Sequence, residues 1–295
     1  MTLPNNGLER NSPHASDERD RRDVENRDDS LACSLTRNDA RQIDGKSPEK
    51  NQKNDFFPVF KPVFKAVAPP LEGLLLVDKP GGRTSFSIVA AVRKKTFQKK
   101  IGHAGTLDPI ATGLLVLLLG KSWTTKAGLF LGHDKEYEAV FFLGKATDTY
   151  DAEGTVTHFS SDVPSEEEVL KVLSFFQGRY EQIPPMFSAK KINGTRLYEL
   201  ARKGISIERK SNEVTIETRL LSYVYPNVIL RIRGSKGTYV RSIAQDFGER
   251  LGCGAHVSAL RRIRSGSFRI EDAVPLEMLL ALPSEEIGKR LVRSL

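Results

Sequence analysis

Residues 102–119 read GHAGTLDPIATGLLVLLL, a turn of three glycines and one proline set against an unbroken apolar run from Leu114 to Leu119. Glycine permits positive φ and close backbone approach, and Pro109 fixes the chain just after Asp108. The apolar run is far too short to cross a bilayer, so it is a buried helix start or a central strand. Upstream, Gly73 to Val77 (GLLLV) is a second continuous apolar run, the pattern of a strand buried on both faces. Asp78-Lys79-Pro80-Gly81-Gly82 breaks it, and Thr84 or Ser85 then caps a helix with Phe86, Val89, Ala90 and Arg93 at helical spacing. Downstream, Tyr137 to Leu143 reads as a strand. Ser165 to Glu168 forms a capping box ahead of an apolar stripe of Val169, Val172, Leu173 and Phe176, and Gly178 ends that helix. Thr195 to Lys203 reads as a short helix stopped by Gly204. Val214 to Val224 and Val228 to Arg233 are two strands, and Thr238 to Leu251 is a helix closed by Gly252. Strands and helices mix without a βαβ rhythm, so the expected class is α+β with a mixed sheet.

The chain has 295 residues, 39% of them hydrophobic, and a net charge of +8. Its two cysteines, Cys33 and Cys253, exclude a disulfide scaffold and a four-cysteine zinc site. Residues 1–55 hold ten basic and twelve acidic residues and no Phe, Tyr or Trp. Such a stretch cannot bury enough apolar surface to offset the entropy of ordering, so a disordered tail is expected. It lacks the apolar core of a secretory signal and is too acidic for a mitochondrial transit peptide. Pro58, Pro62 and Pro69 mark residues 56–70 as an extended linker, and the folded domain, 71–295, starts near Leu71. The excess charge therefore lies in residues 56–295, which hold 35 basic and 25 acidic residues. Arg93-Lys94-Lys95, Lys99-Lys100, Lys190-Lys191, Arg196 and Arg261-Arg262-Ile263-Arg264 together fit a surface that tracks phosphates.

Several motif matches fail. Gly113 to Ser122 ends like a phosphate-binding loop, but six bulky or apolar residues separate its glycines instead of four. Gly252-Cys253-Gly254 lacks the third glycine of a dinucleotide fingerprint, and no zinc-deaminase signature is present. Taken alone, Asp108 reads as an Asx-turn or helix cap. The functional alternative is a rigidly presented nucleophile or base with His103 near its rim. In Ser235-Lys236-Gly237-Thr238-Tyr239-Val240-Arg241, a strand passes into a helix with Thr238 as its cap. Cations at a helix N-terminus oppose the macrodipole unless an anion is near, either a phosphate or a buried carboxylate such as Asp108.

Taken together, these segments resemble the TruB family, the bacterial tRNA pseudouridine-55 synthases. The resemblance rests on Asp78-Lys79-Pro80 with Gly82, Thr84 and Ser85; on Gly102 to Pro109 with Ala111-Thr112-Gly113; and on Asp134-Lys135 with Tyr137. It continues through Thr147-Asp148-Thr149, Asp151 and Gly154, then Gln182 to Lys190, Ser235 to Arg241, and Leu251 to His256, in order from about residue 72 to 275. It implies a pseudouridine synthase fold, a largely antiparallel central sheet flanked by helices. It implies isomerisation of the T-loop uridine of tRNA, with no cofactor and no metal. The N1–C1′ bond breaks, the uracil turns, and C5 bonds to C1′. By this resemblance Asp108 is the catalytic aspartate, Tyr137 the tyrosine that stacks on the base, and Arg241 the arginine that pairs bidentately with the aspartate. His103, with Lys79, Asp148, Lys190, Lys236 and Tyr239, falls to RNA contact. Three routes are open to Asp108: attack at C1′, addition at C6, or removal of the 2′ proton. The base must be flipped out of its stack, which costs roughly a few kcal/mol. Aromatic stacking worth about 1–3 kcal/mol per base offsets it.

An RNA-gripping insertion is expected near 186–210, with Phe187 where tyrosine is more usual. The further C-terminal RNA-binding domain common in the family is not expected, since only about 20 residues follow Val274. The expected protein is a cytoplasmic monomer acting on the tRNA T-arm, with no membrane contact. An RNA-folding chaperone on the same scaffold and a guide-RNA-dependent, dyskerin-type enzyme are the alternatives. The presence of Asp108, Tyr137 and Arg241 opposes the first, and the run Gly102-His103-Ala104-Gly105 opposes the second.

Overall fold

A computed structural model describes residues 71–294 apart from Ala189 and Asn193. The expected tail and linker, 1–70, lie outside the described residues. The chain runs β1 (Gly73–Lys79), α1 (Ser85–Thr96), β2 (Ile101–His103), β3 (Thr112–Leu119), α2 (Lys121–Thr124), α3 (Ala127–Leu131) and β4 (Lys135–Leu143). It continues β5 (Lys145–Thr147), β6 (Val156–Phe159), α4 (Glu166–Leu173), β7 (Gly178–Gln182), β8 (Lys191–Ile192), β9 (Thr195–Arg196) and α5 (Leu197–Ala201). Then come β10 (Asn212–Val224), β11 (Asn227–Gly234), α6 (Val240–Leu251), β12 (Ala255–Ser265), β13 (Phe268–Arg269), β14 (Val274–Pro275), α7 (Leu276–Ala281) and α8 (Ser284–Lys289).

A ten-stranded sheet in the order β14-β1-β3-β12-β4-β11-β10-β7, with β2 on β3 and β13 on β12, organises the domain. Only β1 with β14 and β3 with β12 pair in parallel, so the sheet is mixed and largely antiparallel, as expected. The Leu114–Leu119 run is strand β3, at the centre, and both its faces are covered. Its odd residues join the large core beneath the helices, while Leu114, Val116 and Leu118 pack with Trp123 and Phe130 on the other side. Strand β4 alternates strictly, with Tyr137, Ala139, Phe141 and Leu143 facing the helices.

Helix α6 lies on this face. Phe247 is fully buried against Phe141 and Phe176, with ring centroids 5.7 and 6.0 Å away. Burying such a side chain contributes roughly 1.5–3 kcal/mol. Gly248 lets α6 press on β12, since a Cβ there would stand 2.0 Å from the Ala255 nitrogen.

Several local expectations are corrected. The buried stripe of α1 is Ser85, Ile88, Val89 and Val92, one position off the expected set, and Phe86 is 70% exposed. Polar Ser85 hides this stripe from a hydrophobic pattern. The α4 helix ends at Leu173 with Ser174 as its cap, and Gly178 instead opens β7. Thr195 and Arg196 form β9 against β8, which leaves the helix only Leu197–Ala201. Tyr239, not Thr238, is the N-cap of α6. Strand β12 does not stand out in the sequence, because its three arginines break the apolar pattern of a strand that lies between β3 and β4.

Candidate active site

The register aligns one row across the sheet. Lys79 of β1 lies opposite Gly113 of β3, Gly113 opposite Arg262 of β12, Arg262 opposite Tyr137 of β4, and Tyr137 opposite Ile232 of β11. Gly113 lacks a side chain, has φ +97°, and passes so close to β12 that a Cβ would sit 2.3 Å from the Arg262 carbonyl oxygen. The loop 104–111 that precedes Gly113 carries Asp108.

That loop is held from several directions. Ser85, buried at the start of α1, accepts from the Leu107 amide at 2.9 Å and donates to the Leu107 carbonyl at 3.1 Å. The Pro109 carbonyl accepts from the Gly82 amide at 2.9 Å and from Lys79 Nζ at 3.2 Å. The Ala111 amide donates to the Asp108 carbonyl at 3.1 Å, closing the turn. Asp108 is thus presented from a braced loop, its side chain 35% exposed.

The Asp108 side chain is no Asx-turn. Its Oδ2 accepts from Arg241 Nε at 2.9 Å, and among the described residues Oδ1 accepts no hydrogen bond. Arg241 is the second residue of α6, where a cation alone would be unfavourable. Its anions are carboxylates. The bidentate pairing expected with Asp108 does not form: Nη2 donates to the Phe187 carbonyl at 2.8 Å and Nη1 to that of Thr149 at 3.1 Å. Nη1 also lies 3.6 Å from Asp151 Oδ2. One guanidinium therefore ties Asp108 to two further segments of the chain.

Asp151, two residues after the motif Thr147-Asp148-Thr149, is a further site residue that the sequence reading did not single out. It is buried, and its Oδ1 accepts from Thr149 Oγ1 at 2.6 Å and from the Glu153 amide at 3.1 Å. Its two-residue spacing from Thr149 was the readable signal.

The remaining residues divide. Tyr137 is nine-tenths buried in the cross-sheet row. His103 ends β2 just ahead of the loop, and among the described residues its buried Nδ1 has no hydrogen-bond partner. Burial, and then the Arg262 charge, hold its pKa below the usual histidine value. Tyr239 exchanges two main-chain hydrogen bonds with the Gln182 side chain, and burial raises its phenol pKa. Lys236 is exposed in the loop before α6, and Lys190 Nζ donates to Asn212 Oδ1 at 2.9 Å.

Three placements differ from expectation. Lys79 is fully buried beneath the loop, bonded to the Pro80 and Pro109 carbonyls, so it braces the turn and offers no ammonium to a ligand. Burial lowers its pKa to about 8. The Asp148 carboxylate accepts from the Thr155 amide at 2.8 Å and closes its own turn. In the Arg261–Arg264 cluster, Arg262 is buried, Arg261 pairs with Asp78 and Arg264 with Glu136, so that run is no phosphate-tracking stripe.

A braced, partly exposed carboxylate above a mixed, largely antiparallel sheet, on a basic domain, fits a pseudouridine synthase. Comparisons with known proteins agree. The TruB family pseudouridylate synthase N-terminal domain model matches residues 93–240, and the tRNA pseudouridylate synthase B C-terminal domain model matches residues 241–294. The chain belongs to the TruB family of pseudouridylate synthases. The tRNA pseudouridine synthase B of Chlamydia muridarum is 53% identical over 205 residues, 70% of this chain and 85% of the relative. That of Protochlamydia amoebophila is 55% identical over 204 residues, 69% of this chain and 78% of the relative. Among solved structures, a Cbf5-Nop10-Gar1 complex matches with a TM-score of 0.59 and 29% identity, covering 75% of this chain and 60% of that one. The segment matched as C-terminal includes α6 and β12, so Arg241 and a central strand belong to it. Among the described residues no helix is long and apolar enough to cross a membrane.

Proposed function

We propose that this synthase converts uridine 55 in the T-loop of tRNA to pseudouridine, with Asp108 as the reacting carboxylate. The observation that carries the reading is the Asp108–Arg241 pair: one carboxylate oxygen is held at 2.9 Å and the other is left for substrate on a half-exposed loop. Each route open to Asp108 needs one such oxygen. The N1–C1′ bond breaks, the uracil turns in place, C5 bonds to C1′, and the C5 proton leaves as N1 gains one. Tyr137 stacks on the flipped base and stands by the C5 proton. His103, kept neutral by burial, meets the T-loop, where an aromatic ring offsets part of the unstacking cost. Lys190 in the insertion, and Lys236 and Tyr239 just before α6, supply RNA contacts. The basic domain steers the polyanion. The protein acts as a cytoplasmic monomer without guide RNA. The relatives' printed name supports tRNA as the substrate class.

The test is tritium release from an unmodified tRNA transcript tritiated at uridine C5, with the product position mapped by pseudouridine-specific labelling. Release with a single T-loop mark, lost in Asp108→Ala while tRNA binding stays within about three-fold, is the expected result. Turnover by Asp108→Ala at the wild-type rate would sink the assignment.

A further inference from the structure

Arg262 heads the fully buried side chains by size, 1% exposed in the middle of the sheet. A guanidinium is expensive to remove from water, and apolar replacements of buried charges are often neutral or stabilising. The charge is retained where its described partners are all main-chain carbonyls. Nε donates to Leu114 O at 2.7 Å, Nη2 to Gly105 O at 3.2 Å, and Nη1 makes a long contact to Thr106 O at 3.5 Å. Gly105 and Thr106 lead into Asp108, and Leu114 follows the loop on β3. One side chain therefore ties both feet of the loop whose crown is Asp108. Gly113 permits this by letting the β12 backbone pass beside β3 at the base of the loop. Arg241 holds the Asp108 carboxylate, and Arg262 holds the loop that carries it through the carbonyls of Gly105, Thr106 and Leu114.

We propose that Arg262 is a positioning residue for the reaction: it sets where Asp108 stands relative to Arg241, and touches no substrate. The inference rests on the reading of Asp108 as the reacting carboxylate. A planar fork can reach three carbonyls at once, whereas a lysine ammonium at the same site can satisfy only part of that set.

The test is single-turnover kinetics with enzyme in excess over tritiated tRNA transcript, read as the plateau rate at saturating enzyme. Arg262→Lys and Arg262→Met are compared with wild type and Asp108→Asn. Urea unfolding and tRNA binding are measured on each. Arg262→Lys is expected to fold, to bind tRNA within about three-fold, and to lose about 10- to 100-fold in plateau rate, as a displacement near 1 Å does. Arg262→Met is expected to lose more. A merely structural role would leave the plateau at the wild-type value, reached at higher total enzyme because fewer molecules are folded. That result in both variants would overturn the proposal. If Arg262→Met does not fold, Arg262→Lys, which keeps the charge and the stem, decides alone. Wild-type turnover by Asp108→Asn would overturn the reading of Asp108 and the inference with it. An inactive Asp108→Asn beside Arg262 variants at the wild-type plateau would overturn the inference only.

Discussion

Ser85→Ala tests whether the loop's bracing sets the rate. The Ser85 hydroxyl is buried and makes two hydrogen bonds with one residue, 2.9 Å from the Leu107 amide and 3.1 Å to its carbonyl. Alanine keeps the helix and removes both partners. Each unsatisfied main-chain group left behind costs about 1–3 kcal/mol, so the summed penalty for the two is about 2–6 kcal/mol. Leu107 precedes Asp108, so part of that penalty will be relieved by movement of the loop. The expected outcome has two readings. In urea unfolding, a loss of about 2 kcal/mol lowers the midpoint by about 1 M at a slope near 2 kcal/mol/M. In single-turnover isomerisation of a tritiated tRNA transcript, the saturating rate falls by about 10- to 100-fold while tRNA binding stays level. Ser87→Ala is the control: its hydroxyl bonds only to the Thr84 carbonyl, in an exposed place, and it should change stability by less than about 0.5 kcal/mol. A Ser85→Ala protein with the wild-type midpoint and the wild-type rate would refute the claim that this hydroxyl positions Asp108.

Further outcomes follow from the same geometry. Arg241→Lys should lower the saturating rate by at least about 100-fold with little change in tRNA binding, because one ammonium cannot span Asp108, Thr149 and Phe187; a rate within two-fold of wild type, measured by tritium release, contradicts the shared fork. Gly248→Ala should destabilise by about 1–3 kcal/mol in urea melts, since its Cβ would meet the Ala255 nitrogen and lift α6, with Arg241, off the sheet. Lys79, lowered by burial to about 8, binds its proton more weakly in the folded chain than in the unfolded one. Between pH 8 and the ordinary lysine value near 10.5 the unfolded chain therefore holds more protons, and stability rises with pH across that window. Urea melts from pH 8 to 10 should show a steeper rise for wild type than for Lys79→Met, and identical slopes would refute a Lys79 whose pKa burial has lowered.

Much of the site was legible one residue at a time. The segment Gly102–Gly113 announces a constrained carboxylate by its glycines and proline, and cations at the start of α6 call for an anion. Asp108 and Arg241 answer each other, although 133 residues separate them. Arg262 and Ser85 were not legible in that way. An arginine among arginines reads as surface, and a serine after a threonine reads as a cap. Only their burial and partners reveal what they hold.

The division has a physical cause. Local patterning determined the strands with continuous or alternating apolar residues, the capped helices, the basic domain and the loop that carries Asp108, because each depends on neighbours in sequence. The tertiary structure decided which strands adjoin, that β12 enters the centre of the sheet in parallel with β3, and that Lys79, Arg262 and Tyr137 fall in one row. It also decided that Lys79 braces rather than binds, and that the Arg241 fork is divided among three segments. These are contacts between distant residues, and a buried charge takes its role from the partners that folding brings to it.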